Sequence, residues 1–202
     1  MAPLATPLLA AGFHVLLLDA RCHGRSDDDE ITSMPAIADD IDVGLGWLRG
    51  RPDVDSSRMV LIGHLVGAGA CLLVASRDQQ VAAVVSIASM AHPETFMETM
   101  LQRRLPRPLA RLALRFVEHA VGQPFESFAP VETIKHVQMP ILLVHGDKDQ
   151  TVPVEDAHTL FAQTGGSAQL IVIPGGDHAS LEMLGKVGSE LIAFLHGAVS
   201  SS

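Results

Sequence analysis

Met59-Val60-Leu61-Ile62-Gly63-His64-Leu65-Val66-Gly67-Ala68-Gly69-Ala70 is the stretch on which the fold is read. The apolar run predicts a buried strand over 58–62, and apolar periodicity returns as a helix from about Val66 to Ala75. A strand that becomes a helix within a few residues needs a sharp turn, which the glycines Gly63 and Gly67 permit. Leu65 sits at the tip of that turn. The glycine spacing fits neither dinucleotide-binding G-x-G-x-x-G nor the phosphate loop G-x-x-x-x-G-K-[ST]. The next strand closes in Ser86-Ile87-Ala88-Ser89, without the acidic residue that a ribose would require.

Outward from this stretch, short apolar runs alternate with amphipathic ones. Phe13-His14-Val15-Leu16-Leu17-Leu18 predicts a buried strand ending at Asp19. Ser33 is suited to cap a helix with Pro35 in its first turn. That helix carries Ile37, Ile41, Leu45 and Leu48 on one face, and Gly50 and Pro52 stop it. Further strands are expected over 81–87, 141–144 and 169–173. Pro153 opens a helix that Gly165-Gly166 closes, and the last helix buries Leu184, Val187, Leu191 and Phe194. Strands alternating with helices imply a three-layer α/β/α sandwich around a mostly parallel sheet. Residues 1–90 and 139–199 form that core, and 200–202 are expected to fray.

Residues 91–138 break the alternation, with helical patterns, Pro106, Pro108 and Pro124, and no clear strand. They read as a small helical cap inserted between two strands. Arg104, Arg107, Arg111 and Arg115 recur at spacings of three and four, with Leu105, Leu109, Leu112 and Phe116 on another face. This is expected to be a cap helix with a solvated arginine face, surface binding being the alternative.

Composition limits the function. The 202 residues suffice for one substantial core, and 48% apolar with 18% charged residues argues against disorder. A net charge of −9 argues against a nucleic-acid partner. Two cysteines, Cys22 and Cys71, fit a reducing compartment better than a disulfide framework. The first apolar run lacks a preceding Lys or Arg and ends in Asp19-Ala20-Arg21, unlike a signal peptide. No stretch reaches the ~18 apolar residues of a membrane span. A cytoplasmic location is therefore expected. No H-E-x-x-H or paired-cysteine pattern points to a metal, and no cofactor is expected.

Four separated motifs in order resemble those of the α/β-hydrolase superfamily, over essentially the whole chain. Asp19-Ala20-Arg21-Cys22-His23-Gly24-Arg25-Ser26 is similar to D-x-R-G-H-G-x-S. Gly63-His64-Leu65-Val66-Gly67 is similar to the nucleophile elbow G-x-S-x-G, with leucine in place of serine. His145-Gly146-Asp147-Lys148-Asp149-Gln150-Thr151-Val152-Pro153 resembles the loop bearing the catalytic acid, and Gly175-Gly176-Asp177-His178 the loop bearing the catalytic histidine. The serine aminopeptidase, lysophospholipase and dienelactone-hydrolase-like groups are the most similar.

The resemblance implies hydrolysis of carboxylic esters, thioesters or amides by a Ser-His-Asp mechanism, with a small-molecule substrate. His178 matches the base and Asp149 the acid that orients it, with Asp147 as competitor; spacing to Val152-Pro153 favours Asp149. Leu65 matches the nucleophile, and the Val66 N–H an oxyanion donor. Leucine offers no attacking atom. His64 precedes the tip and is expected to point elsewhere, and Cys71 reads as a small buried apolar residue. Asp19 and Arg21 are expected to tie down their own loop, and Asp27 to Glu30 and Asp177 to be solvated. A single replacement in an otherwise intact site is the leading reading, giving a chain inactive as written. The alternatives are a binding module on the same fold and an active enzyme whose sequence is truncated and altered.

The family usually begins with further strands, and a His-Gly loop after the third supplies a second oxyanion donor. Met1-Ala2-Pro3-Leu4 resembles the helix after that loop. In the family's strand order the third strand lies between 13–18 and 58–62. A gap there, closed up, filled by another chain or filled by a longer N-terminus, is expected, the last being favoured. Self-association through unpaired sheet edges is a further expectation.

Overall fold

Four segments pair as a parallel sheet in the computed structural model, which describes residues 2–166, 168–178 and 184–200. In chain order the elements are α1 (Ala2–Ala10), α2 (Met34–Arg49), β1 (Val60–His64), α3 (Val66–Arg77), β2 (Ala83–Ile87), α4 (Pro93–Gln102), α5 (Arg107–Val121), α6 (Pro130–Thr133), β3 (Ile141–Gly146), α7 (Val154–Gln163), β4 (Ala168–Ile173) and α8 (Leu184–Ser200). The strands lie in sequence order, so β1 forms one edge. Gly63 pairs with Ser86, Ser86 with Leu143 and Leu143 with Leu170. This register brings the carboxyl ends of all four strands to one edge of the sheet, where ligands bind in open α/β folds.

The sheet is covered on both faces, as the strand–helix alternation predicts. Leu61, Val84, Ile141 and Leu143 pack with Ile37 and Leu45 of α2, Leu72 and Val74 of α3, and Leu160 of α7. Val85, Ile87, Leu142 and Val144 pack with Leu4 and Leu8 of α1 and Leu191 and Leu195 of α8. The central strands β2 and β3 are buried at every position. Each such aliphatic side chain contributes roughly 1.5–3 kcal/mol through burial. Ser33 caps α2, its hydroxyl accepting from the Ala36 N–H at 3.2 Å. Gly165 and Gly166 take positive φ (61° and 92°) after α7. Leu191 and Phe194 are buried as expected; the side chains of Leu184 and Val187 lie outside the described residues. Ser200, expected in the frayed tail, belongs to α8, its hydroxyl donating to the His196 carbonyl; the rest of that tail lies outside the described residues.

Residues 13–18 correct one expectation, for they form no strand. Leu16, Leu17 and Leu18 are 45–54% exposed. The alternation survives: Phe13 and Val15 pack toward the α1/α8 layer, while Leu16 and Leu18 reach toward Gly44 of α2. A strand is defined by its ladder, and among the described residues β1 pairs only with β2. The apolar pattern is present, but the hydrogen-bonding neighbour is not.

The loop after this segment is anchored from both ends. Asp19 accepts the Arg25 N–H at 3.0 Å, and Arg21 forks onto Asp40 of α2 at 2.7–3.1 Å. Arg21 therefore ties its loop to α2 rather than only to itself. Asp29, expected to be merely solvated, pairs with Arg21 at 2.8 Å.

Between β2 and β3 the regular elements among the described residues are all helical. Phe125, Phe128, Val131 and Ile134 join the core beneath α3, and α4 and α5 pack on each other, Leu114 of α5 entering the same core. The packed face of α5 is Ala110 and Leu114, supported by Val117 and Val121. Leu109, Leu112 and Phe116, grouped by sequence as the apolar face, are 52–73% exposed.

Candidate active site

The β1–α3 turn holds Leu65 at φ 53°, ψ −115°. A non-glycine side chain there costs roughly 1–3 kcal/mol. The turn persists because its surroundings fix it. The Leu65 N–H donates to the Ile87 carbonyl at 3.0 Å, and the Leu65 carbonyl accepts from Ala68 and Gly69. Gly63 is required by close approach, since a Cβ there would stand 2.2 Å from the Gly67 oxygen. Gly67 has no such need: a Cβ on it would meet nothing within 4 Å. Val66 is the first residue of α3, so its N–H has no helical carbonyl to bond. Amides at such a position favour an anion.

Across the strand ends, the loops after β3 and β4 meet. Gly146 and Gly176 touch through their backbones, and a Cβ on Gly146 would lie 2.3 Å from the Gly176 oxygen. The Lys148 N–H donates to the Gly176 carbonyl at 2.8 Å. The Asp147 carboxylate accepts the Gly175 N–H at 2.7 Å, so Asp147 fastens one loop to the other. Asp149 does something different. Its side chain is fully buried, and one oxygen accepts the N–H groups of Thr151 (2.8 Å) and Val152 (2.9 Å). The other faces His178 Nδ1 at 2.8 Å. Of the two competing carboxylates, Asp149 is the one that contacts the histidine.

Burial works against the charge on Asp149. The Val152 N–H, the His178 ring and the Thr151 N–H overcome it and hold the carboxyl below the usual carboxylate range. An ionised Asp149 only accepts, so His178 carries a proton on Nδ1, and its neutral form is the tautomer that presents a lone pair on Nε2. The geometry thus yields an oriented imidazole beside a strained turn.

His64 corrects the expectation that it points elsewhere. Its ring lies 4.9 Å from the His178 ring, and its Nε2–H donates to the His178 carbonyl at 3.1 Å. The cause is strand periodicity: His64 shares its face with Val60 and Ile62, the face crossed by the loop after β4. Burial, and secondarily the His178 ring, holds His64 below the ordinary histidine value. His145 had no expected role. It is buried, donates Nε2–H to the Val152 carbonyl at 2.9 Å, and stands 3.6 Å from Asp149. A polar residue ending an apolar strand was the available signal. Cys71 is buried in the core, which pushes its thiol up to about 12. Asp177 is exposed beside the site.

A small pocket beside the turn is lined by His64, Ile87, Ala88, His145, Gly176 and His178. Among the described residues, no group of three or more His, Cys, Asp or Glu side chains could hold a metal ion.

The model of the alpha/beta hydrolase family matches residues 1–184. The chain belongs to the alpha/beta hydrolase family. Among curated relatives, it is 28% identical over 184 residues to an uncharacterized protein of Mycobacterium tuberculosis, covering 91% of this chain and 59% of that one. It is 27% identical over 179 residues to the uncharacterized protein YfhR of Escherichia coli, covering 87% and 57%. The chain thus spans just under three-fifths of the length of these relatives. Among solved structures, the Pyrococcus furiosus esterase Pf2001 superposes with a TM-score of 0.76 at 23% identity, over 97% of this chain and 74% of that one. The alpha/beta hydrolase fold is therefore shared with an esterase. No helix among the described residues is long and apolar enough to cross a membrane.

Proposed function

We propose that this chain carries the site of a serine-hydrolase lineage acting on carboxylic ester, thioester or amide bonds, with Leu65 standing where the attacking hydroxyl belongs. The observation that carries this reading is Leu65 itself, at φ 53° directly after His64, whose ring contacts the Asp149-paired His178. The strained backbone angle serves a nucleophile and gives a leucine nothing. Asp149 and His178 retain the tautomer that general-base chemistry needs. The Val66 N–H supports an oxyanion. The esterase among the structural neighbours is consistent with this class of substrate.

As written, the chain forms no acyl-enzyme at residue 65, because a leucine side chain has no lone pair to attack with. Loss of the nucleophile in serine hydrolases lowers turnover by about 10⁶. Reaction with a fluorophosphonate probe and hydrolysis of p-nitrophenyl esters test the reading. The chain as written stays unlabelled, and Leu65→Ser gains labelling at residue 65. Labelling of the unaltered chain, or a Leu65→Ser protein that neither labels nor hydrolyses, would overturn it.

A further inference from the structure

We propose that His145 is a positioning residue: by holding the Val152 carbonyl it keeps the turn between β3 and α7 closed, so that Asp149 stays aimed at His178. The proposal rests on the reading of Asp149 and His178 as an orienting acid and its base, and extends it to a residue that acts through the turn.

His145 is the fifth residue of β3, a strand buried at every position, and it is 1% exposed. A buried polar side chain costs free energy unless it is hydrogen-bonded, whereas a fifth aliphatic residue after Ile141-Leu142-Leu143-Val144 would pack without that cost. Strand periodicity puts His145 on the face of Ile141 and Leu143, the face that α7 covers. There its Nε2 lies 2.9 Å from the carbonyl of Val152, two residues before α7 begins. A carbonyl only accepts, so Nε2 carries the proton and donates it. Among the described residues no backbone N–H reaches that carbonyl.

The bond spans the turn that holds Asp149. The turn opens with the Asp149 N–H donating to the Gly146 carbonyl at 3.3 Å. It closes where the N–H groups of Thr151 and Val152 donate to one Asp149 oxygen at 2.8 and 2.9 Å. Val152 therefore gives its N–H to Asp149 and its carbonyl to His145, and couples the two side chains. The other Asp149 oxygen faces His178 Nδ1 at 2.8 Å and stands 3.6 Å from His145 Nε2, too far for a hydrogen bond. His145 thus leaves that oxygen to His178. Without the imidazole donor the Val152 carbonyl would be buried and unpaired. Relief of that condition moves Val152, and with it an anchor of the carboxylate. Displacement of a catalytic group by about 1 Å can cost on the order of 10²-fold in rate.

Nitrogen-15 NMR of the chain as written tests the proposal without any catalysis. His145 should be the Nε2–H tautomer; an Nδ1–H tautomer would set a lone pair against the Val152 carbonyl and overturn the proposal. His145→Phe keeps the volume of the ring and removes the donor, while His145→Gln returns an N–H of similar reach. The hydrogen-bonded Nδ1 proton of His178 should exchange at least about tenfold faster in His145→Phe and be restored in His145→Gln, with circular dichroism unchanged. If His145→Phe fails to fold, His145→Asn, too short to reach Val152, takes its place with the same expectation. In a Leu65→Ser background, His145→Phe should lower kcat on p-nitrophenyl esters about 10–100-fold with KM within about threefold, and His145→Gln should recover most of that loss. A Leu65→Ser protein that stays inert would sink the reading of the site, while the NMR measurements would still decide the role of His145. A His178 proton indifferent to loss of the His145 donor, or one that His145→Gln does not restore, would overturn the proposal.

Discussion

His64 donates its Nε2–H to the backbone oxygen of His178 across 3.1 Å, joining the residue before the β1–α3 turn to the loop after β4. These residues are 114 positions apart in sequence. The bond fixes the height of the His178 loop against the sheet, while Asp149 fixes the rotation of its ring. His178 is therefore held at two points, backbone and side chain, by two different strand ends.

The first prediction concerns pH. His64 has a folded-state pKa below its ordinary value, so the unfolded chain binds more protons there. Its contribution to stability is present above about 6.5 and is lost as pH falls below that value. Asp149 is also depressed, so its contribution is present above about 4 and lost as pH falls through its folded value. Urea midpoints should thus decline in two stages on acidification. His64→Gln removes the first stage and leaves the second. An acid limb unchanged by His64→Gln would refute the assignment.

The two carboxylates of the loop after β3 should separate in a Leu65→Ser background. Asp149→Asn places an amide against His178 Nδ1 and favours the wrong tautomer, which should lower kcat on the order of 10⁴. Asp147→Asn keeps an oxygen for the Gly175 N–H and should change kcat by less than about tenfold. Steady-state ester hydrolysis distinguishes them. Equal losses would mean that Asp147 does more than fasten the loop.

The two glycines flanking the turn should also differ. Gly63→Ala puts a methyl 2.2 Å from the Gly67 oxygen, a backbone atom that cannot step aside. It should cost about 1–3 kcal/mol or more in denaturant unfolding. Gly67→Ala meets open space within α3 and should be neutral or stabilising by up to about 1 kcal/mol. A tolerated Gly63→Ala would show that the turn relaxes more readily than its contacts suggest.

Four strands, the helices between them and the two facing loops were legible in sequence because each leaves a local mark. An apolar run reads as a buried strand, Ser33 as a cap, and Asp-x-x-Val-Pro as a loop that bears an acid. Residues 13–18 carried the same apolar mark and misled, because the mark describes burial while a strand also requires a neighbour. Leu109, Leu112 and Phe116 misled in the same way. Helical spacing groups them on one face, but spacing does not say which face meets the core.

The sequence by itself determined the chemistry on hand: leucine at the turn, carboxylates and a histidine on two later loops, and glycines where the chain must bend. Only the tertiary structure decided which of these touch. It set Asp149 rather than Asp147 against His178, turned His64 toward the same histidine, and brought Gly146 and Gly176 into backbone contact. The reason is physical. Residue type and local backbone preference act over a few positions, whereas a hydrogen bond across 29 or 114 residues exists only once parallel pairing has aligned the strand ends.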